Sequence, residues 1–256
     1  MADTVADFYD QLAGDYHLIF ADWRAAVDRQ GEQLDRLIRE RLGSPPLAVL
    51  DCSCGIGTQA IGLARRGYRV HATDLSPAAV DRARREAPTF GVAVTWGVAD
   101  IRQLDRQVAG TFDVVLSCDN SLPHLLTDED LRLAARAMRS KLRPGGPLLA
   151  SIRDYDRLVE ERPRATMPGL LDGPDGRRVY FQLWEWSPEG TRYRLHLFIL
   201  KESAGRWRTT HAATEYRALR RDELDDALRD AGFVDLRWHP PEESGYYQPT
   251  VTARRH

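Results

Sequence analysis

Asp51-Cys-Ser-Cys-Gly-Ile-Gly-Thr-Gln-Ala60 is the stretch that decides how this chain folds. It follows the apolar run Leu47-Ala-Val-Leu50 and leads into a helical pattern from Thr58 to Arg66, so it reads as strand, glycine loop, helix. Glycines at 55 and 57 let a ligand approach the backbone, and the start of the following helix offers unpaired N–H groups. Gly55, Gly57 and Ala60 satisfy the pattern G-x-G-x-x-G/A, which makes a nicotinamide or flavin dinucleotide one candidate ligand. Asp51 argues for another. A carboxylate at the strand end repels a pyrophosphate but suits a ligand with a cationic amino-acid end, as in S-adenosylmethionine, whose sulfonium lies beside that end.

Outward from this loop the pattern alternates. Strands over Arg69 to Thr73, Val92 to Trp96, Phe112 to Ser117 and Leu148 to Ile152 are interleaved with helices over Pro77 to Glu86 and Asp128 to Leu142, with a turn at Pro144-Gly-Gly146. This alternation predicts a parallel sheet with helices on both faces. Ahead of Pro45-Pro46 lie two amphipathic helices. One begins at Thr4 with Val5, Phe8, Tyr9 and Leu12 on one face; the other begins near Asp22 with Trp23, Val27, Gln30, Leu34, Leu37 and Ile38. Between Tyr155 and Leu219 the rhythm changes. Arg178 to Trp186, Tyr193 to Leu200 and Arg206 to Tyr216 read as three neighbouring strands without intervening helices, an antiparallel insertion. The helix Asp222 to Ala231 and strands Phe233 to Trp238 and Thr250 to Arg254 complete the main sheet. The expected division is a helical lid over 1–44, an α/β core over 45–154, a β insertion over 155–219 and completion of the core over 220–256.

Composition narrows the function classes. A length of 256 residues fits one large α/β domain carrying an insertion, with 43% hydrophobic residues for a core. A mean hydropathy of -0.47 and the absence of a span-length apolar run argue against an integral membrane protein. Basic and acidic residues number 36 and 38, a net charge of -2, so no global field favours a polyanion and nucleic acid is not an expected partner. Only Lys141 and Lys201 are lysines among those 36, a bias that genome composition explains as readily as chemistry. The acidic N-terminus lacks a secretory pattern, which places the protein in the cytoplasm as an expectation. Cys52, Cys54 and Cys118 are odd in number and carry neither a disulfide framework nor a metal-ligand spacing.

Two further acids sharpen the ligand. Asp74 follows the second strand, nineteen residues after Gly55, where a carboxylate accepts hydrogen bonds from ribose hydroxyls in either cofactor class. Asp100 follows the third strand in Val98-Ala-Asp-Ile101, placed to accept from an adenine amino group while Ile101 packs on the ring. The third acid favours the methyl donor over the dinucleotide.

Taken jointly and in order, Asp51 to Gly57, Asp74, Asp100-Ile101, Phe112-Asp-Val-Val-Leu116 and Leu142-Arg-Pro-Gly-Gly146 resemble the class I S-adenosylmethionine-dependent methyltransferases over essentially the whole chain. Tyr16 to Trp23, the loop Asp119-Asn-Ser-Leu-Pro-His124 and the β insertion resemble more narrowly the glycine/sarcosine N-methyltransferase group. The resemblance implies a Rossmann-like doubly wound α/β sheet, an N-terminal lid over the cofactor and an inserted antiparallel subdomain that shapes the acceptor site. It implies that Cys54, Gly55, Gly57, Gln59, Asp74, Leu75, Asp100, Ile101 and Cys118 adjoin the cofactor, with Tyr16, Trp23 and Gln30 contributed by the lid. Gln30 departs from the pattern, standing where such enzymes often place an arginine for the cofactor carboxylate.

Plainer readings stand beside these. Asp51 and Asp100 also suit loop caps, and Tyr16 and Trp23 suit core aromatics. Cys118 reads as a small buried residue. In the loop after the fourth strand, Asp119 and Asn120 are candidates to orient an acceptor and His124 to accept a proton, or merely to brace the loop. Arg153 and Tyr155, past the fifth strand, lie on the same edge. Arg153 suits a carboxylate-bearing acceptor, or an ion pair with Asp154 or Asp156. Strand alternation points Phe181 away from Trp184 and Trp186, so part of the insertion's aromatic set faces a pocket, a partner or solvent. The leading expectation is methyl transfer to an amine nitrogen of a small molecule, by in-line displacement with proximity and desolvation. The alternatives are C- or O-methylation of an electron-rich aromatic such as an indole or phenol, and a non-catalytic S-adenosylmethionine-binding protein; a monomer and a homodimer are both open.

Overall fold

The computed structural model describes residues 4–173 and 176–256. Helix α1 (Val5–Leu12) is capped by Thr4 in a reciprocal box with Asp7, and α2 (Trp23–Leu42) by Asp22, whose side chain accepts from the Ala25 amide. A 3₁₀ turn over Tyr16–Ile19 joins them. Then come β1 (Ala48–Asp51), α3 (Thr58–Ala64), β2 (Arg69–Asp74), α4 (Pro77–Glu86), β3 (Thr95–Val98), the short α5 (Leu104–Gln107), β4 (Val114–Ser117), α6 (Asp128–Lys141) and β5 (Pro147–Ser151). The chain continues through α7 (Tyr155–Glu161), four strands β6 (Gly169–Gly173), β7 (Gly176–Trp186), β8 (Arg192–Ser203) and β9 (Arg206–Arg217), then α8 (Arg221–Asp230), β10 (Phe233–His239), the short α9 (Pro241–Ser244) and β11 (Thr250–Arg255).

The main sheet has seven strands in the order β10-β11-β5-β4-β1-β2-β3. β1 to β5 pair in parallel, and β11 runs antiparallel to both β5 and β10. Strands β1, β4 and β5 are almost wholly buried, as expected of a sheet covered on both faces. The direction of winding reverses between β1 and β4, which opens a crevice beyond their carboxyl ends, where ligands of doubly wound sheets collect.

One close contact sets the lid against this crevice. Helices α2 and α3 cross at Gly31 and Gly62; a Cβ on Gly31 would stand 2.5 Å from the Gly62 carbonyl carbon, and one on Gly62 2.4 Å from the Val27 carbonyl oxygen. Any side chain at either position forces the helices apart.

The second sheet, β6-β7-β8-β9, is antiparallel throughout. Its inner face carries Trp184, Tyr193, Leu195, Leu197, Ile199, Ala212 and Tyr216 into the core shared with α1, α6 and α8. On the opposite face Phe181 stacks on Phe198, with centroids 5.0 Å apart, as strand alternation predicts. Within the insertion two elements depart from the sequence reading, and the short helices α5 and α9 outside it were not read either. The insertion has a fourth strand, β6, and α7 opens the segment read as strands alone. β6 is five residues of mixed Gly, Leu and Asp, too short to show a period, and α7 is a seven-residue helix with Tyr155 its one buried side chain. Among the described residues no helix is long and apolar enough to cross a membrane.

Candidate functional site

The crevice is a cleft that, with its mouth, holds about 1010 Å³ not filled by atoms. Its floor is the loop after β1, Cys52 to Ile56, followed by Thr58 and Gln59 at the start of α3. One flank is Asp74 and Leu75 after β2 with Ala99 to Arg102 after β3; the other is Asp119, Ser121, His124 and Leu125 after β4; Val5, Tyr9 and Tyr16 of the lid close the top.

At the floor, Gly55 has φ +50° and an added Cβ there would meet nothing within 4 Å, so its backbone faces the open cleft. Gly57, with φ +91°, is instead the N-cap of α3, and a Cβ there would press on Ala83, Ile61 and Trp96 at 3.1 Å. Gly57 therefore shapes the loop and does not line the cleft. Asp51 lies beneath the floor, 1% exposed. Its Oδ1 accepts from the Ser53 amide at 3.3 Å, while Oδ2 is buried with no partner. Burial pushes its pKa up to about 8. A buried, half-satisfied carboxylate is what a cationic ligand group relieves.

Asp74 fastens the loop from the side. Its Oδ2 accepts from the Gly55 amide at 2.7 Å and its Oδ1 from the Ser76 amide at 2.9 Å. A carboxylate has about four acceptor positions, so lone pairs remain for ribose hydroxyls. Asp100 lines the cleft, yet both its oxygens are engaged by Arg102, at 3.0 and 2.7 Å, and Arg102 also pairs with Asp130 at 2.9 Å. Burial alone would raise the Asp100 pKa, but the hydrogen bonds and charge of Arg102 hold it below the usual value. The expected free acceptor for an adenine amino group is thus an ion-paired one; Ile101 and Leu75 supply apolar surface beside it.

Of the lid residues expected at the cofactor, Tyr16 lines the cleft and two do not. Trp23 is buried, donates from Nε1 to Thr58 Oγ1 at 2.9 Å and meets Phe90 edge-on, so it braces the start of α3 from behind. Gln30 is 3% exposed; its Oε1 accepts from Gln59 Nε2 at 2.8 Å and from the Tyr246 hydroxyl at 3.3 Å. It acts through Gln59, which does face the cleft. Cys54 lines the cleft, whereas Cys118 lies beneath it, and burial raises both thiols.

After β4 two consecutive non-glycine residues are left-handed, Asp119 at φ 62° and Asn120 at φ 64°. Asp and Asn tolerate this better than other residues, and such strain concentrates at functional loops. Ser151 holds the loop: its Oγ accepts from the Asp119 amide at 2.8 Å and its carbonyl from the Asn120 amide at 3.2 Å. Asp119 projects into the cleft and accepts a short hydrogen bond from the Tyr247 hydroxyl. Burial raises its pKa to about 6, against the lowering effect of that bond and of Arg153. His124 shares a 2.9 Å hydrogen bond with the Tyr9 hydroxyl, and its ring lies 4.1 Å from that of Tyr216. Burial lowers its pKa to about 3, so it is neutral at physiological pH.

Asn120 and Tyr155, both grouped with the acceptor in the sequence reading, are at most 2% exposed and do not reach the cleft. Asn120 Oδ1 accepts from the Arg153 amide at 3.0 Å, and the Tyr155 and Tyr193 hydroxyls are 2.8 Å apart. They support the residue between them. The Arg153 guanidinium sits 4.7 Å over Trp184 and 5.6 Å from Tyr216, and donates to the Tyr193 hydroxyl at 2.9 Å. It forms no ion pair among the described residues. Asp154 and Asp156, its expected alternative partners, pair with Arg221 at 3.1 and 3.3 Å. An aromatic wall of Trp184, Tyr193 and Tyr216, stacked at 4.5 and 5.4 Å, thus carries a cation without an ion-pair partner behind His124; like Asn120 and Tyr155, Arg153 does not itself line the cleft. Tyr9 was not singled out from the sequence, where it reads as one more residue on the apolar face of α1.

The comparisons agree with this geometry. A family described as a methyltransferase domain matches residues 49–146, the glycine loop through the Pro-Gly-Gly turn. Glycine/sarcosine N-methyltransferase of Parasynechococcus marenigrum is 34% identical over 139 residues, 54% of this chain and 48% of that protein, so the chain spans about half the length of this curated relative. The protein of the same name from Aphanothece halophytica is 29% identical over 235 residues, 89% of this chain and 80% of that one. In fold, the chain is similar to S-adenosylmethionine-bound CalS10, an amino pentose methyltransferase from Micromonospora echinaspora, with a TM-score of 0.71 at 21% identity, covering 90% of this chain and 92% of that one. The unpartnered Asp51 oxygen, the open Gly55 backbone and the apolar flank at Leu75 and Ile101 fit S-adenosylmethionine, the cofactor of this class. The ordered motifs, the reversed sheet and the cleft at its switch point agree with these comparisons: residues 49–146 match a methyltransferase domain, and the chain has the fold of S-adenosylmethionine-dependent methyltransferases.

Proposed function

We propose that this protein transfers a methyl group to the amine nitrogen of a small molecule that also carries an acidic group. The observation that carries this reading is the nearness of opposite charges: Asp119 in the cleft and, behind the residues that line it, Arg153, which has no ion-pair partner among the described residues and whose charge acts on Asp119. An amino acid or similar zwitterion matches both. The names of the glycine/sarcosine N-methyltransferase relatives support the same direction.

When bound, S-adenosylmethionine supplies an activated methyl group on its sulfonium, so the protein's tasks are alignment, exclusion of water and control of the acceptor's proton. Asp51 would hold the cationic end of the cofactor, Asp74 the ribose, and Leu75 and Ile101 the base. Tyr9 and Tyr16 cover the cleft from the lid and exclude water. Asp119, anionic above about pH 6, attracts a protonated amine and would take its proton, with the hydroxyl of half-exposed Tyr247 hydrogen-bonded beside it. Neutral His124 holds no mobile charge; together with the Tyr9 hydroxyl it orients the amine by hydrogen bonding.

The sign of the pH dependence follows. Below about 6 Asp119 is protonated and loses its grip on a cationic acceptor, so kcat/KM rises with pH through that value and shows no separate limb from His124. Asp119→Asn is expected to remove the acidic limb and to lower kcat/KM by about a hundredfold, the scale of losing a charged hydrogen bond and a general base together. A pH–rate profile of wild type and variant checks this; an unchanged limb in the variant contradicts the role.

The reading as a whole is tested by release of S-adenosylhomocysteine with a panel of amino acids, amino sugars, phenols and indoles. Turnover is expected with the first group. Turnover confined to phenols or indoles would instead establish the O- or C-methylation alternative, which the aromatic wall also accommodates.

A further inference from the structure

One arginine grips three backbone carbonyls of the lid. Arg178 on β7 is 5% exposed, and its Nε donates to the Leu18 carbonyl at 3.0 Å while Nη2 donates to those of Phe20 at 2.9 Å and Ala21 at 3.1 Å. It forms no ion pair among the described residues. These carbonyls close and follow the 3₁₀ turn Tyr16–Ile19. The start of the same turn is held by the same sheet: Asp15 accepts from Arg208 Nη2 at 2.9 Å and from Thr210 Oγ1 at 2.8 Å, both on β9. Tyr16 stands between the two grips and lines the cleft.

Helix α1 also packs on β9, but its end is hydrogen-bonded to α4. Asp10 accepts from Ser76 Oγ at 2.5 Å and from the Ala78 amide at 3.1 Å at the start of α4, and Arg82 of α4 donates to the carbonyls of Ala13 and Gly14 at 3.2 and 2.8 Å. By these hydrogen bonds the lid is fastened to α4 of the cofactor-binding core up to Gly14 and to the inserted sheet over Asp15 to Ala21, before α2 returns to the core against α3. A buried guanidinium must be hydrogen-bonded to be tolerated, and these carbonyls, bonded in this way, depend on it in turn. Separation costs both sides.

We propose that Arg178 is a positioning residue that ties the Tyr16 turn to the inserted sheet, so that the sheet bearing the aromatic wall also sets how the lid closes on the cofactor. The kinetic part of the test rests on the proposed function; the structural part does not.

The experiment compares full-length Arg178→Met and Arg178→Lys with wild type, and uses Arg177→Gln, an exposed neighbour paired with Asp172, as control. Hydrogen exchange is followed for the amides of residues 16–22 and of α1, together with the affinity for S-adenosylhomocysteine and the steady-state constants. In Arg178→Met, residues 16–22 are expected to exchange about tenfold faster or more while α1 is unchanged, on the scale of losing hydrogen bonds to a charged donor. S-adenosylhomocysteine affinity falls and the KM for S-adenosylmethionine rises, each by about tenfold, with kcat changed much less. Arg178→Lys restores part of the effect and Arg177→Gln shows none. Unaltered exchange at 16–22 overturns the proposal, and so does exchange that rises equally in α1 and the turn. If the methionine variant does not fold, the same comparison is made on the lysine variant. If wild type binds no S-adenosylhomocysteine, the proposed function fails, and the exchange pattern still decides the role of Arg178.

Discussion

Asp51→Asn is expected to make the ligand-free protein more heat-stable at pH 8.5 and, at the same pH, to weaken S-adenosylmethionine binding by about a hundredfold, the scale of truncating one partner of a buried charge pair. Both effects have one cause. Asp51 is buried, one oxygen lacks a partner, and burial, against the Ser53 amide and with a smaller contribution from the charge of Asp74, raises its pKa from 3.8 to about 8. The sign is fixed by proton binding. Between these two values the unfolded chain has lost the proton and the folded chain retains it, so stability falls as pH rises through the window and levels off above 8. The penalty at pH 8.5 is on the order of several kcal/mol, and relieving even half of it raises the melting temperature of a chain this size by roughly 5 °C. At pH 5.5 the gain is smaller, because only about two fifths of the penalty has developed. Melting curves at the two pH values and titration calorimetry with S-adenosylhomocysteine check this. A variant that is less stable at pH 8.5, or that binds as wild type does, contradicts the role given to Asp51.

The second large effect is expected at Arg153. Its guanidinium lies over Trp184 and against Tyr193, with no ion pair among the described residues, behind the residues that line the cleft. If it receives the acidic group of the acceptor, Arg153→Met raises acceptor KM between about tenfold and a hundredfold, the range of a charged hydrogen bond. S-adenosylhomocysteine affinity then stays within about twofold, since its site is built from other elements. Arg153→Lys keeps the charge and loses the planar fork, and is expected to fall between the two. An unchanged acceptor KM in the methionine variant would leave Arg153 as a prop for the aromatic wall alone.

What the sequence made legible follows physical range. The strand, loop and helix around Gly55 declare themselves locally, because an apolar strand, glycine φ freedom and an N-terminal helix start lie within fifteen residues. Asp74 and Asp119 were found by their position after a strand, and the sheet brings both to the cleft. Distant partnerships were not legible. That Arg102 occupies Asp100, that Arg221 takes both Asp154 and Asp156, and that Trp23 braces Thr58 depend on packing between remote segments. Tyr9 was hidden for another reason: at helical spacing an aromatic that meets a ligand and one that meets the core look alike, and only its hydrogen bond to His124 separates them. The short strand β6 and helix α7 carry too few buried positions to reveal a period.

The most direct measurement of the central claim uses S-adenosylmethionine labelled with carbon-13 in the methyl group, with product followed by NMR in the presence of the acceptor that turns over fastest. The label is expected on nitrogen, in a product that retains its acidic group, and Asp119→Asn and Arg153→Met should each slow its appearance. Label on carbon or on oxygen, or no transfer to any amine while a phenol or indole is methylated, would contradict the account.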